Sequence, residues 1–161
     1  MKRLSSIILL ACLATEVFAQ ADTSRESIYL EIAGSGGLGS INYEKQFLQA
    51  GITDLSWRVG FSIAPIDPNN GVGLVFPVMI HGLIGSSPHK LELGVGQGIT
   101  ITTNGSFFIL GTACVGYRYQ SETSNWFYRV SYTPLISYLV DLQYQNWVGI
   151  SIGYILGDRS K

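Results

Sequence analysis

Charged side chains are scarce in this sequence. They make up 13% of its residues and the net charge is -1, whereas soluble domains usually contain ~25% charged residues. No basic cluster is present, so the chain lacks the electrostatic attraction on which nucleic-acid binding depends. The composition therefore argues against a nucleic-acid partner and predicts a surface unusually poor in charge.

Cysteine is also scarce, and no interior linker or low-complexity run divides the 161 residues. A single domain is expected. If Cys12 is removed with an N-terminal leader, Cys114 has no disulfide partner. A catalytic or metal-binding thiol needs a nearby base or further ligands, and neither His81 nor His89 lies in such a context. We therefore predict no metal site and no cofactor.

The N-terminus has the pattern of a secretory leader. A basic pair at residues 2–3 precedes an apolar segment at 7–13 and a small-residue site that ends at Ala19. This pattern predicts a signal peptide over residues 1–19, with an apolar core too short to span a bilayer as a helix. The alternative is a bacterial lipobox, Leu-Leu-Ala-Cys, in which Cys12 would be lipidated.

After a polar leader at residues 20–27, apolar and polar residues alternate along the chain, and no helical periodicity of useful length is present. Two residues is the side-chain period of a strand, and clusters of Gly, Pro, Asn, Asp and Ser separate the runs. An even number of such runs predicts an all-β fold, an eight-stranded antiparallel up-and-down transmembrane β-barrel over residues 28–156 with a tail at 157–161. The predicted strands cover residues 28–33, 38–47, 55–64, 71–82, 90–101, 107–120, 126–135 and 147–156.

The two faces of these strands differ in composition, and the polar face decides which one points inward. A water-facing exterior would be dense in Lys and Glu, but this face is mostly Gly, Ser and Thr. It suits a narrow lumen, whereas the apolar face suits lipid and its aromatic girdles. We therefore predict an outer-membrane location, with these aromatic residues facing lipid: Trp57, Phe61, Phe76, Tyr117, Tyr128, Tyr132 and Tyr154.

Six charged residues, three of each sign, fall on the inward parity. A lone charge in a dry lumen is costly, but Arg and carboxylate side chains can satisfy each other. We predict a structural ion-pair network that plugs the lumen; the alternative is a gated or ion-selective path. Its members are Glu31, Glu44, Arg58, Glu92, Arg118 and Arg129.

Three irregularities interrupt the alternation. Pro77 removes a ladder donor within a strand, which predicts a bulge or bend. Gln97 is a polar residue on the apolar face, and a bulge at Gly96 or Gly98 would turn it inward. The segment 137–146 is apolar for a loop, so it either extends the flanking strands or forms a contact site.

Several strand sequences together resemble a known family. They are LELGVG at 91–96, VGYRYQ at 115–120, FYRVSYTPL at 127–135 and WVGISIGY at 147–154. The chain resembles small eight-stranded outer-membrane barrels of the OmpA/OmpX type, especially the short stand-alone barrels of Bacteroidota. The resemblance implies a monomer that contacts outer-membrane lipid and, during biogenesis, the barrel-insertion machinery. The family's last strand commonly ends in an aromatic residue, whereas this chain continues past Tyr154.

We expect a non-enzymatic outer-membrane barrel with a structural or envelope-interaction role. A lipid-modifying enzyme of the acyl hydrolase or transferase type is one alternative, with His81, Ser62 or Ser131, and Glu92 as the candidate residues. A soluble lipocalin-like carrier is another, and it predicts apolar residues inside the barrel. The remaining alternative is a small, porin-like channel.

Overall fold

Eight antiparallel strands form a closed barrel. The computed structural model describes residues 25–137 and 142–157. Each strand pairs with its neighbours in sequence, and β1 also pairs with β8, so the sheet has no free edge. The strands are β1 (Glu26–Ile32), β2 (Gly39–Ala50), β3 (Thr53–Asp67), β4 (Gly71–Ile84), β5 (His89–Thr102), β6 (Phe107–Gln120), β7 (Trp126–Ser137) and β8 (Gln143–Leu156).

The predicted fold class is confirmed, and the strands extend past several predicted ends. β1 begins at Glu26, within the predicted leader, and β8 begins at Gln143. Of the two interpretations offered for segment 137–146, strand extension is therefore correct for residues 137 and 143–146. The predicted signal peptide, most of the leader, residues 138–141 and the tail beyond Gly157 lie outside the described residues. In the part of the chain that is described, no helix has the length and apolarity needed to cross a membrane.

Alternation along the strands separates an inner from an outer surface. In β7, for example, Phe127, Arg129, Ser131 and Thr133 are buried, whereas the intervening side chains are exposed. Buried residues across the barrel are mainly polar or charged, and most exposed large side chains are apolar or aromatic. The sheet therefore presents polar groups to its narrow interior and apolar groups to its surroundings.

Glycines on the inner face make room for large side chains. A Cβ atom at Gly153 would lie 2.3 Å from the ring of Phe127 and 2.5 Å from the Cβ of Tyr29. Tyr29 and Phe127 pack edge to face, with 5.7 Å between ring centroids, and form a buried cluster with Ile155. The inner face is rich in glycine because eight strands enclose little more than the side chains themselves.

Neither Pro77 nor the glycines beside Gln97 shift the strand register. The β3–β4 register is the same on both sides of Pro77, from Val59 opposite Val78 to Ser62 opposite Val75, although no pair is formed at Pro77 itself. Proline therefore interrupts the ladder without shifting it, since it removes only one donor.

Gln97 keeps its outward position. It lies opposite Val78 and Gly111 in ladders that contain no register shift, and its side chain is exposed. The expectation that a bulge turns Gln97 inward is wrong, because glycine permits a bulge without requiring one.

Candidate functional site

Six inward-facing charged residues from six different strands meet in the lumen. Glu31 and Glu44 come from β1 and β2, Arg58 from β3, and the remaining three from β5, β6 and β7. No member is more than 4% exposed. They are the six residues predicted from the sequence, and the structure brings them together: Glu31, Glu44, Arg58, Glu92, Arg118 and Arg129.

The first half of the cluster joins β3 to β5 across the lumen. Arg58 donates to Glu31 at 2.8 Å, and Arg129 donates to the other oxygen of Glu31 at 2.5 Å. Arg129 also donates to Glu92 at 2.8 Å. Because each guanidinium carries five donors in a fixed fork, Arg129 can bind two carboxylates at once.

The second half continues with the same alternation of sign. Arg118 donates from Nε to Glu92 at 3.1 Å, and its two terminal nitrogens donate to both oxygens of Glu44 at 2.8 and 2.7 Å. The result is one line of ion pairs, which we call the charge chain: Arg58, Glu31, Arg129, Glu92, Arg118, Glu44. Its formal charges balance, and each member has an opposite charge as a neighbour.

Neutral side chains support the charge chain. Tyr29 accepts a hydrogen bond from Arg129 at 3.2 Å, and Ser151 accepts another from the Nε of Arg129 at 3.2 Å. The guanidinium carbon of Arg129 lies 4.7 Å from the ring centroid of Tyr29, and that of Arg118 lies 4.6 Å from the ring centroid of Phe127. These contacts place the guanidiniums against aromatic faces, where the ring quadrupole favours a cation.

Sequence reasoning missed a second buried ion pair. Lys90 of β5 contacts Asp54 of β3, with both side chains nearly inaccessible to solvent. The signal was present, because Lys90 shares the parity of Glu92, and Asp54 that of Arg58. Both residues lie near strand ends, where alternation is a weaker guide to orientation.

His81 is fully buried beside the charge chain. Its Nδ1 lies 2.6 Å from an oxygen of Glu92, yet neither ring nitrogen has hydrogen-bond geometry to a partner in residues 25–137 or 142–157. Ser62 donates to the carbonyl of Gly39, and Ser131 has no hydrogen-bond partner within the same ranges. Neither serine is therefore hydrogen-bonded to His81, as a nucleophile and its base would be.

The donor atoms of His81, Glu92 and Cys114 all lie within 4.8 Å of one another. Such a set could in principle bind a cation such as zinc. However, Glu92 already accepts hydrogen bonds from Arg118 and Arg129. These guanidiniums neutralise the carboxylate and would repel a further cation, so the donor set fits a metal poorly.

The predicted lipid-facing aromatic residues lie on the outer wall. Six of them are between 37% and 51% exposed, and Phe76 is half-buried against Phe61, with 5.5 Å between ring centroids. Trp57 packs on Tyr43 in the same way, at 5.5 Å. The exposed members are Trp57, Phe61, Tyr117, Tyr128, Tyr132 and Tyr154.

Comparison with solved structures identifies similar barrels. The chain is similar to the N-terminal β-barrel domain of Pseudomonas aeruginosa OprF, with a TM-score of 0.57 and 10% sequence identity over 83% of this chain and 96% of that one. It also matches Ail, the attachment invasion locus protein of Yersinia pestis, with a TM-score of 0.48 and 12% identity over 83% and 97% of the two chains. No protein-family model and no curated protein sequence matches the chain. The likeness to the OprF domain shows a shared β-barrel fold.

Proposed function

We propose that this chain is an integral outer-membrane β-barrel whose lumen is plugged by the charge chain, with a structural or envelope-interaction role and no catalysis. The observation that carries the proposal is the apolar outer wall. Ile32, Val95, Val148 and Ile150 are each 63% to 72% exposed, although side chains of this kind are normally buried in water-soluble proteins. Soluble monomers rarely expose large contiguous apolar patches.

The distribution of charge supports the same conclusion. Only helices and closed barrels satisfy every backbone group within hydrocarbon, and the described strands form such a barrel. A lipocalin-like carrier would have its apolar residues inside, whereas the middle of this lumen is filled by ion pairs. The barrel thus has the arrangement expected of a protein solvated by lipid outside and by its own charges inside.

The charge chain also bears on transport. Arg58, Arg129 and Arg118 all reach acids on other strands. Arg118 pairs bidentately with Glu44, and Arg129 bridges Glu31 and Glu92, so these guanidiniums are held in place. At this strand number, side chains fill the interior. We therefore propose a closed lumen, a monomer, export through a signal peptide and outer-membrane insertion by the barrel-insertion machinery.

The first experiment is refolding of residues 20–161 with and without detergent or lipid. We expect β-sheet circular dichroism and heat-modifiable gel migration only when detergent or lipid is present. A folded, monomeric β-protein in plain buffer would contradict the membrane assignment. Cell fractionation of the full-length chain then tests the location.

Two further measurements test the lumen and the absence of catalysis. In planar bilayers, we expect no steady conductance from the refolded barrel; regular open-channel steps would reject the plug and leave the barrel intact. With phospholipid vesicles, we expect no release of fatty acid. Release that His81→Ala abolishes in a folded barrel would establish the lipid-modifying alternative instead.

A further inference from the structure

The inner surface changes character at the end of the barrel opposite the two chain termini. Here a cavity of about 700 Å³ is lined by the β1–β2 connection and by the adjoining ends of β3 to β8. Among the described residues that line it, none is acidic or basic. Its apolar walls include Ile66, Val75, Phe108, Leu110, Leu135 and Trp147. We call this cavity the mouth cup.

The charge chain forms the floor of the mouth cup. Ser35, which lines the cavity and is only 2% exposed, contacts both Arg58 and Glu31. Those two residues belong to the charge chain, so the chain lies directly below the cup. With the lumen closed as proposed above, the cup is a closed-ended site and is not the entrance of a pore.

Polar but uncharged groups lie toward the other end of the cup. Gln143 and Gln145 line it from β8 together with Trp147, and Thr100 lines it from β5. Both glutamines are exposed, whereas Trp147 is partly buried. The same strand thus carries amide donors and acceptors near the opening and an aromatic ring deeper in the cavity.

From this geometry we propose that the mouth cup binds a small, uncharged, amphipathic molecule. Its apolar body would pack on Trp147, Leu110 and Leu135, and its polar end would meet Gln143 and Gln145. Ligand sites of 300–1,000 Å³ lined mainly by apolar side chains, with a few polar groups, are the usual form of small-molecule pockets. A charged molecule is disfavoured because the described lining residues carry no counter-charge and the charges at the floor are already paired with one another.

The side of the membrane from which a ligand would enter rests on the proposed function. If the termini lie in the periplasm, the cup opens on the outer side of the membrane. Binding itself does not depend on that orientation. The test therefore uses purified barrel in lipid nanodiscs, with heat-modifiable migration as the separate measure of folding.

Energy transfer from Trp147 provides the readout. Trp57 and Trp126 are exposed on the outer wall, so W57F/W126F leaves Trp147 as the single donor of the chain's three tryptophans. The probe is N-phenyl-1-naphthylamine, which is uncharged, and its matched anionic analogue is 1-anilinonaphthalene-8-sulfonate. We expect saturable transfer to the uncharged probe and affinity for the anion that is lower by about tenfold or more.

A substitution that fills the cup with a side chain can be compared with a matched substitution on the opposite face of the same strand. A Cβ at Gly98 would have no atom nearer than 3.9 Å, so this inward position accepts a side chain, and Gly98→Phe adds a ring to the cup lining. Gln97→Phe adds a ring to the opposite face of the same strand. We expect G98F to abolish saturable transfer and Q97F to preserve it. Ala64→Phe, also in the cup lining, is the second filling variant if G98F does not fold.

The outcomes separate the two proposals. Transfer that rises linearly with probe and is the same in G98F and Q97F reports partition into lipid and would overturn the cup. Equal affinity for the anionic probe would overturn the assignment of an uncharged ligand. Absence of the heat-modifiable form of the unmutated chain would instead remove the proposed membrane barrel.

Discussion

The end of the charge chain allows a sharp test of its energetics. Glu44 has Arg118 as its salt-bridge partner, whereas Glu92 is shared between Arg118 and Arg129. Arg118→Met leaves the carboxylate of Glu44 buried without a cation. Breaking a buried ion pair by removing one partner typically costs about 3–5 kcal/mol, and we expect a loss of unfolding free energy in that range. Glu44→Met should cost a similar amount because it leaves an excess positive charge.

The double variant E44M/R118M is expected to behave differently. It removes one acid and one base from the end of the chain, and the remaining members still alternate in sign and balance in charge. Replacement of a whole buried pair by apolar side chains is often neutral. We therefore expect E44M/R118M to cost about 1 kcal/mol or less, well below the sum of its single variants.

Equilibrium unfolding by urea in detergent micelles, followed by tryptophan fluorescence, measures these free energies. Lys45→Met is the matched control, because Lys45 is adjacent to Glu44 and pairs with Glu26 at 2.8 Å on the partly exposed outer wall. Such exposed pairs contribute about 0–1 kcal/mol. A double variant as unstable as the sum of E44M and R118M would refute the charge chain as an energetic unit. A loss below about 1 kcal/mol in R118M would show that water solvates the lumen.

Three further predictions concern the wall and the interior. Ile150→Arg, on the outer face near the middle of β8, should lower stability in a bilayer by about 2–4 kcal/mol, and Leu156→Arg at the end of that strand by about 0–1 kcal/mol; equal effects would contradict a lipid-facing wall. Gly96→Ala should cost about 1–3 kcal/mol, because its Cβ would lie 2.2 Å from a backbone oxygen of β4, whereas Gly98→Ala should change urea stability by about 0.5 kcal/mol or less. The Cys114 thiol, 2% exposed, should resist maleimide labelling in the folded barrel and react after unfolding, and rapid labelling of the folded form would disprove its burial.

The inner and outer faces of the barrel wall were predictable from sequence, because the direction of each side chain depends only on its position along its own strand. A strand repeats its side-chain direction every two residues, so Glu92 and Arg118 could be assigned to the inner face from their own neighbours. This reasoning fails at the bulge in β2, where the two-residue alternation is interrupted. The register shifts between Gln46 and Leu48, at the adjacent apolar residues Phe47 and Leu48 that break the alternation.

The pairing within the lumen was not predictable, because it depends on how far each strand is displaced along the barrel relative to its neighbours. Arg129 and Glu31 are 98 residues apart in sequence and meet only because β1 and β7 both flank β8. The mouth cup depends on the same displacement. Leu110 and Leu135 belong to strands that also carry Arg118 and Arg129, and only the closed barrel shows that their upper halves enclose a cavity.

The inner surface thus combines two kinds of filling, and their order along the barrel has a physical consequence. The charge chain is rigid because each interior guanidinium is held by two carboxylates, so it can act as a fixed floor. The apolar side chains above that floor form no ion pairs or hydrogen bonds with it, and they enclose a cavity. Polar residues at the strand ends surround the opening of this cavity. A barrel that served purely as a wall would gain stability by filling this space, since a cavity forfeits packing contacts. None of the described residues fills the space above the proposed plug, which favours binding at one end of the barrel over passage through it.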